Sequence, residues 1–315
     1  MPTLLYHTGA LGDFIATLPA LALWKNRRPI DKLVLLGNSA IGALSLDAGL
    51  IDESWDIDSS RFVPLFGDDY SPAAANLLTL FDAAVVFTHS PSPLRANLRR
   101  SAIAELHSQE PFPASPGIHV VDYHLSLFAD PATLALQERS PRLSPSADAF
   151  AQSLKLLPGG IAPVALHAGS GSALKNWPID RYRELAAHLR RCGLPIAWIR
   201  GPADVPFDVP SGDICIDQPS LPALAAFLSG CRLFIGNDSG VAHLAAAVDC
   251  PVVAIFGPSD PVTWSPRGQR VGIVYKKVDC SPCHRVKRPE ESCERSCLDR
   301  IMVEDVLAGA EQILH

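Results

Sequence analysis

The residues best suited to chemistry lie between positions 236 and 261, where two apolar strands bracket a short Ala-rich segment. Asp238, Ser239 and Gly240 follow the first strand, and His243 comes one helical turn later. In a strand–helix–strand unit, the loops that follow the two strands emerge at the same edge of a parallel sheet. Free backbone N–H groups, the helix dipole, the Ser239 hydroxyl and the imidazole suit an anion. The segment predicts a phosphate-binding turn, with ordinary helix capping as the alternative for Asp238 and Ser239.

A second group of anion-binding candidates follows the strand predicted at 163–167. The sequence HAGSGSALKNWPID offers hydroxyl and backbone N–H groups at Ser170 and Gly171, and a cation at Lys175. It is not a P-loop, because the lysine is neither preceded by Gly nor followed by Ser or Thr. A solvated, flexible loop is the alternative. We expect Ser170 and Lys175 to converge with Ser239 and His243 on one diphosphate. Asp204, in a third loop at the same sheet edge, is predicted to contact a ribose hydroxyl, with an ordinary turn as the alternative.

The loop after the first strand offers a carboxylate instead of a cation. Its sequence, HTGALGDFIATLP, contains Gly9, Gly12 and Asp13, and it lacks the G-x-G-x-x-G dinucleotide fingerprint. Because a carboxylate repels a pyrophosphate, Asp13 suits proton abstraction better than phosphate binding. The alternative is that Asp13 only caps the first helix.

Basic side chains follow the strand predicted to end at 88. The stretch HSPSPLRANLRR supplies His89, Arg95, Arg99 and Arg100. On a chain of net charge −6, guanidinium groups at helical spacing suit the recognition of phosphate or carboxylate on an acceptor molecule. A solvated helix face is the alternative.

Length and composition restrict the class of protein. The 315 residues are 48% hydrophobic and 19% charged, which favours two domains with substantial cores. The chain lacks the basic excess of a nucleic-acid binder. It also lacks an apolar run of the ~18 residues that a membrane span requires, and the start of a signal peptide. We therefore expect a cytoplasmic protein.

Four of the eight cysteines cluster near the end of the chain. Cys280, Cys283, Cys293 and Cys297 have the spacing C-x2-C-x9-C-x3-C, within the range of a tetrathiolate zinc loop. Because the two pairs are close together and no flanking hairpin is indicated, structural thiols or an occasional disulfide are favoured over zinc.

Strands and helices alternate along the whole chain. Strands are predicted at 3–7, 32–37, 54–57, 81–88, 163–167, 195–199, 213–216, 232–236 and 251–256. Helices are predicted at 12–25, 39–48, 146–156, 179–191, 221–230, 239–248 and 303–314. The pattern predicts an α/β protein of two Rossmann-like domains, 1–157 and 158–315, facing each other across a cleft. It also allows the final helix to pack back on the first domain.

Four parts of the sequence together resemble a known family. They are GALGDFIATLPAL, GSGSALKNWP, NDSGVAHLAAAVDCPVVAIFGPSDPVTWSP and the tail motifs CSPC and CLDRI. In this order they resemble the bacterial heptosyltransferases of glycosyltransferase family 9. The resemblance covers nearly the whole chain and implies a GT-B fold. It also implies an ADP-heptose donor in the C-terminal domain and a lipopolysaccharide inner-core acceptor at the N-terminal domain.

The resemblance further implies roles for single residues. Asp13 falls on the family's general base and Lys175 on the lysine that contacts donor phosphates. Asp204 matches an acidic ribose ligand, which is usually Glu in the family, and Gly169 and Ser170, or Ser170 and Gly171, replace two hydroxyl residues. The expected donor-binding residues are Ser170, Gly171, Lys175, Asp204, Asp238, Ser239, Gly240 and His243. The expected acceptor-binding residues are Gly12, His89, Arg95 and Arg99.

The implied reaction is one inverting displacement, in which Asp13 takes the proton of the acceptor hydroxyl. Lys175 and the helix start at 239 would meet the charge of the departing ADP, so that no metal or cofactor is expected. The partners would be the nucleotide sugar and the lipopolysaccharide acceptor, with peripheral contact at the inner face of the inner membrane. The alternatives are a transferase or epimerase of another nucleotide sugar, and a non-catalytic nucleotide-binding paralogue.

Overall fold

The structure, a computed structural model, describes residues 2–27, 32–155, 161–202, 204–283, 293 and 295–314. The chain divides into two compact units, Met1–Arg139 and Ser140–His315. Each unit has its own parallel sheet and its own apolar core. The prediction of two Rossmann-like α/β domains is therefore confirmed.

The first unit is built on a sheet whose strands are all parallel. Its strands are β1 Thr3–His7, β2 Leu33–Gly37, β3 Glu53–Asp56, β4 Ala83–Phe87 and β5 Glu105–Gln109; its helices are α1 Leu11–Arg27, α2 Ser39–Asp47, α3 Pro72–Leu78, α4 Pro93–Arg100 and α5 Val120–Leu125. The strand order is β3-β2-β1-β4-β5. Because the order reverses between β1 and β4, the loops after these strands diverge and leave a crevice at the carboxyl edge.

The second unit repeats this plan with one more strand. Its strands are β6 Val164–His167, β7 Ile196–Arg200, β8 Ile214–Asp217, β9 Leu233–Asn237, β10 Val252–Phe256 and β11 Val271–Tyr275. Its helices are α6 Ala147–Leu154, α7 Ile179–Arg191, α8 Leu221–Ser229, α9 Gly240–Ala247, α10 Pro261–Trp264, α11 Ser296–Asp299 and α12 Val303–Leu314. The order is β11-β10-β9-β6-β7-β8, so the reversal falls between β6 and β9. Strands β6, β9 and β10 are buried along their whole length, as expected for central parallel strands with both faces covered.

The division between the units lies earlier in the chain than the predicted boundary at 157/158. The N–H of Leu143 donates to the carbonyl of Ala247 at 2.8 Å, and the Ser153 hydroxyl contacts the Ala226 carbonyl at 3.3 Å. These contacts, with the packing of α6 on α8, fix residues 140–155 to the second unit. Residues 140–145 are rich in Pro and Ser, a composition typical of loops, yet Leu143 is hydrogen-bonded within the second unit.

The final helix, α12, packs on its own unit, against β10, β11 and α7. Its apolar face contributes Val303, Val306 and Ala310 to the core of the second unit. The predicted option of a helix that also packs on the first domain stays a prediction. Across the described ranges, no helix is both long enough and apolar enough to cross a bilayer.

Candidate functional site

Two of the predicted anion-binding segments meet at the crevice between β6 and β9. Asp238 and Ser239 follow β9 directly, and Lys175 lies in the loop of residues 168–178, here called the β6–α7 loop. Lys175 Nζ donates to Asp238 Oδ2 at 2.7 Å, and the Asp238 side chain is only 7% exposed. This ion pair joins the β6–α7 loop to the start of α9.

At the start of α9, the buried hydroxyl of Ser239 makes no hydrogen bond to the described residues. Ser239 precedes the first residue of α9, yet its side chain makes no capping bond to the helix. Its Oγ is buried and has no hydrogen-bond partner among the described residues. A buried polar group in this state costs about 1–3 kcal/mol. An anion at this position would accept from the hydroxyl and from backbone N–H groups at the helix start, which helices commonly leave without an intrahelical partner.

His243, one turn into α9, is 7% exposed. Burial lowers its pKa, against the opposing effects of the Asp238 carboxylate and a hydrogen bond with the Trp264 backbone. The imidazole is therefore neutral near pH 7. The positive charge at this crevice comes from Lys175 and from the dipole of α9.

Ser170, a predicted phosphate contact, makes its hydrogen bonds inside the β6–α7 loop. Its hydroxyl lies 2.6 Å from Asn176 Oδ1 and 2.8 Å from the Ser172 carbonyl, and it accepts the Ser172 N–H at 3.3 Å. A Cβ added to Gly171 would meet nothing within 4 Å, so this glycine borders open space. The observed role of Ser170 is to shape the loop, and ligand contact by either residue stays a prediction.

Asp204, predicted to contact a ribose, is bonded within the protein. Its Oδ2 lies 3.0 Å from His167 Nε2 and accepts the Gly201 N–H at 2.6 Å. Burial raises the pKa of Asp204, but the hydrogen bonds from His167 and Gly201 outweigh this and hold the pKa below its ordinary value. A Cβ on Gly169 would fall 1.7 Å from Asp204 Oδ1. The carboxylate thus joins the end of β6 to the loop after β7, and a ribose contact stays a prediction.

In the first unit, Asp13 lies in the first turn of α1 and is partly exposed. Its Oδ2 accepts the N–H of Ala10, the residue before the helix, at 3.1 Å. This bond is the carboxylate half of a capping box. A Cβ on Gly9 would fall 3.2 Å from Asp13 Oδ2 and 3.0 Å from His7 Cε1, so the glycine permits this close arrangement. The observed contact is that of a cap, and the role of general base stays a prediction.

The basic residues predicted to bind the acceptor follow β4, the neighbour of β1. His89 Nδ1 lies 3.0 Å from Glu110 Oε2, and the imidazole is 74% exposed. Arg95 lies on α4, partly exposed, and its buried Nε has no hydrogen-bond partner among the described residues. Arg99, on the same helix, is exposed, and Gly12 lies in the first turn of α1. Acceptor binding by these residues stays a prediction.

Two buried histidines, His7 at the end of β1 and His124 on α5, are not indicated by the sequence. His7 is 4% exposed and His124 is 1% exposed, and the aromatic ring of Phe87 contacts both. Burial lowers the pKa of His7 to about 4. Burial, with a smaller effect of His7, lowers the pKa of His124 to about 3. Neither residue stands out in the sequence, because His7 ends an ordinary strand pattern and His124 lies in a segment for which no element or motif is predicted.

These histidines should make the first unit unstable in mild acid. Their ordinary pKa is 6.5, so the unfolded chain takes up protons before the folded chain does. The stability is therefore complete above pH 6.5 and falls as the pH drops toward about 4 and about 3, by up to ~1.4 kcal/mol per pH unit for each ring. Urea unfolding at pH 7.5 and 5.0, followed by tryptophan fluorescence, measures this loss.

The variant His124→Gln should reduce that acid-induced loss by about half, since one of the two titrating rings is removed. His188→Gln, on α7 of the second unit, controls for the loss of a histidine elsewhere. If the stability of His124→Gln depended on pH as strongly as that of the unaltered protein, the assignment of the acid-induced loss to His7 and His124 would be refuted.

All eight cysteines, which lie within the described ranges, are free thiols. Burial raises the pKa of Cys297, with further upward effects from Cys293 and Cys280. Among the described residues, which exclude His284, no group of three His, Cys, Asp or Glu side chains forms a metal site. The zinc alternative for Cys280, Cys283, Cys293 and Cys297 stays a prediction.

Comparison with known proteins connects these observations to a family. Residues 72–293 match the family model described as glycosyltransferase family 9 (heptosyltransferase). Lipopolysaccharide heptosyltransferase 1 of Pseudomonas aeruginosa is 26% identical, with 90% of this chain and 86% of that protein covered.

Two solved structures, each 18% identical to this chain, share its fold. The glycosyl transferase family 9 protein of Veillonella parvula has a TM-score of 0.79, covering 99% of this chain and 97% of that one. The Escherichia coli ADP-heptose lps heptosyltransferase II has a TM-score of 0.73, covering 100% and 98%.

The two parallel-sheet units and the structural matches define the GT-B fold, and the family match defines a glycosyltransferase. Since the family match spans well over half of the sequence, the chain belongs to glycosyltransferase family 9 (heptosyltransferase). The fold class, the family and the enzyme class that the sequence predicted are therefore confirmed.

Proposed function

We propose that this enzyme transfers heptose from ADP-heptose to a lipopolysaccharide inner-core acceptor, with inversion at the anomeric carbon. The observation that carries the proposal is the cluster at the β6–β9 crevice, where Lys175, Asp238 and a Ser239 hydroxyl without a partner among the described residues lie at the start of α9. A cation beside a hydroxyl and the N–H groups of a helix start suits the diphosphate of a nucleotide sugar. The similarity to an enzyme named for ADP-heptose supports the choice of donor.

In this proposal, the crevice acts mainly on the leaving group. As the bond to the sugar breaks, negative charge grows on the departing ADP. Lys175 and the first turn of α9 stabilise that charge, because preformed donors need no reorganisation during the reaction. Ser239 adds a hydroxyl bond, and neutral His243 lines the same turn. We therefore expect turnover without an added metal ion or cofactor.

The acceptor side of the reaction is assigned to the first unit. Asp13 takes the proton from the acceptor hydroxyl as its oxygen attacks the anomeric carbon. His89, Arg95 and Arg99 bind anionic groups of the inner core. Because the acceptor carries a lipid, we place the enzyme in the cytoplasm, in peripheral contact with the inner face of the inner membrane.

A binding screen followed by a transfer assay tests the proposal. Calorimetry should show ADP-heptose binding at least ~10-fold more tightly than UDP- or GDP-sugars, a difference of about 1.4 kcal/mol. Mass spectrometry should then detect a heptosylated inner-core acceptor, with activity retained in EDTA.

The other outcomes of this experiment separate the alternatives. Preference for a UDP- or GDP-sugar would assign a different donor, and isomerisation of the sugar without acceptor would indicate an epimerase. Tight donor binding with no product from any inner-core acceptor would favour a non-catalytic paralogue.

A further inference from the structure

Asn237, the last residue of β9, is a fully buried polar side chain beside the proposed donor site. It is 0% exposed, and it sits where the strand order reverses, between β9 and β6. A buried amide in a dry position requires partners for both its donors and its acceptor. The partners of Asn237 lie in the β6–α7 loop and the helix that follows it.

The amide nitrogen of Asn237 holds the beginning of the β6–α7 loop. Its Nδ2 donates to the carbonyl of Ala168 at 2.8 Å and to the carbonyl of Gly169 at 3.2 Å. These are the first residues after β6, where the regular ladder to β9 ends. The side chain thus continues the pairing of the two strands into the loop.

The amide oxygen of Asn237 holds the end of the same loop. Its Oδ1 accepts the backbone N–H of Trp177 at 2.9 Å and the hydroxyl of Tyr182 at 3.1 Å. The Trp177 indole is anchored in turn to the Ile301 carbonyl at 2.9 Å. One side chain therefore fixes both ends of the loop that carries Lys175.

We propose that Asn237 is a positioning residue for donor binding: it fixes both ends of the β6–α7 loop so that Lys175 faces the start of α9. This inference rests on the proposed binding of the donor diphosphate at that crevice. Asp238, the residue after Asn237, accepts a hydrogen bond from Lys175 Nζ. Asn237 therefore orients the loop, and Asp238 orients the lysine that the loop carries. With the loop already in place, binding does not have to order it.

The test is calorimetric titration of the full-length enzyme with ADP. Asn237→Ala should weaken ADP binding about 10-fold or more, because a misplaced loop carries Lys175 away from the phosphates. Asn237→Asp keeps the size and the acceptor oxygen but removes both donors, and it should be weakened to a similar extent. The ADP affinity of Asn237→Ser is measured as well. The serine hydroxyl can keep one of the four hydrogen bonds of Asn237, so this variant replaces Asn237→Ala where the alanine variant does not fold.

Two comparisons separate positioning from a loss of fold. Tyr182→Phe removes one hydrogen bond to the same Oδ1 but none to the loop, so its ADP affinity should stay within about 2-fold of the unaltered enzyme while thermal stability falls. In a Lys175→Met background, Asn237→Ala should weaken binding by less than about 3-fold, since its effect passes through the lysine.

An unchanged ADP affinity in Asn237→Ala would overturn the inference, as would an equal loss with and without Lys175. Failure of the unaltered enzyme to bind ADP would instead overturn the proposed function, and this inference with it.

Discussion

Asp13→Asn should reduce kcat by about 10²- to 10⁴-fold, the range expected when a general base is removed. The affinity for ADP should remain within about 2-fold, because the proposed donor contacts lie in the second unit and are untouched. Initial rates at saturating acceptor, together with calorimetry against ADP, measure the two quantities separately.

The choice of asparagine distinguishes the two roles that Asp13 could have. Its carboxylate accepts the Ala10 N–H at 3.1 Å, and a neutral amide oxygen can accept the same bond. A residue that only caps the helix would therefore tolerate the change. Asp130→Asn is a matched control, because that aspartate also accepts a backbone N–H at a helix start, from Ala132 at 3.0 Å. Near-normal turnover of Asp13→Asn would exclude Asp13 as the base.

Lys175→Met should weaken ADP binding by about 10- to 100-fold, corresponding to ~1.5–3 kcal/mol for a hydrogen bond with a charged group. Two effects act in the same direction. The phosphates lose their cation, and the Asp238 carboxylate, 7% exposed, loses its partner and repels the ligand. Calorimetry with ADP measures the sum of both effects.

The second effect can be separated by neutralising Asp238. Asp238→Asn in the Lys175→Met background should recover part of the lost affinity, because the repulsion disappears while the missing cation is not replaced. Lys276→Met is the matched control, since Lys276 pairs with Asp305 at 2.5 Å elsewhere in the same unit. An ADP affinity of Lys175→Met equal to that of the control would remove Lys175 from the donor site.

The central strands were predictable because their burial requires unbroken apolar runs. The prediction of 3–7 matches β1, and 251–256 differs from β10 by one residue. The strands that were missed, β5 and β11, are both at sheet edges. Glu105–Gln109 is exposed or partly exposed along its whole length and has no apolar run. Val271–Tyr275 is apolar, but Gly272 interrupts it, and a glycine inside a strand weakens the strand pattern.

The candidate site was also predictable from the sequence only in part. Residue types and loop positions indicated Lys175, Ser239 and the place where they meet, since parallel strands deliver their loops to one edge. The sequence did not indicate Asn237 or the bond between His167 and Asp204. Both depend on side chains that approach across loops, and spacing along the chain contains no signal for such contacts.

The carboxylate of Asp204 fills the space beside Gly169, so the two positions share one volume. A methyl group at 169 has room only when the side chain at 204 becomes shorter, and the His167 imidazole then loses its acceptor. A library that randomises only position 169 should therefore select glycine, and one that randomises only position 204 should select aspartate. Each residue would then be judged essential by itself. Positions 167, 169 and 204 therefore form one mutational unit, and a new shape at the start of the β6–α7 loop requires changes at all three together.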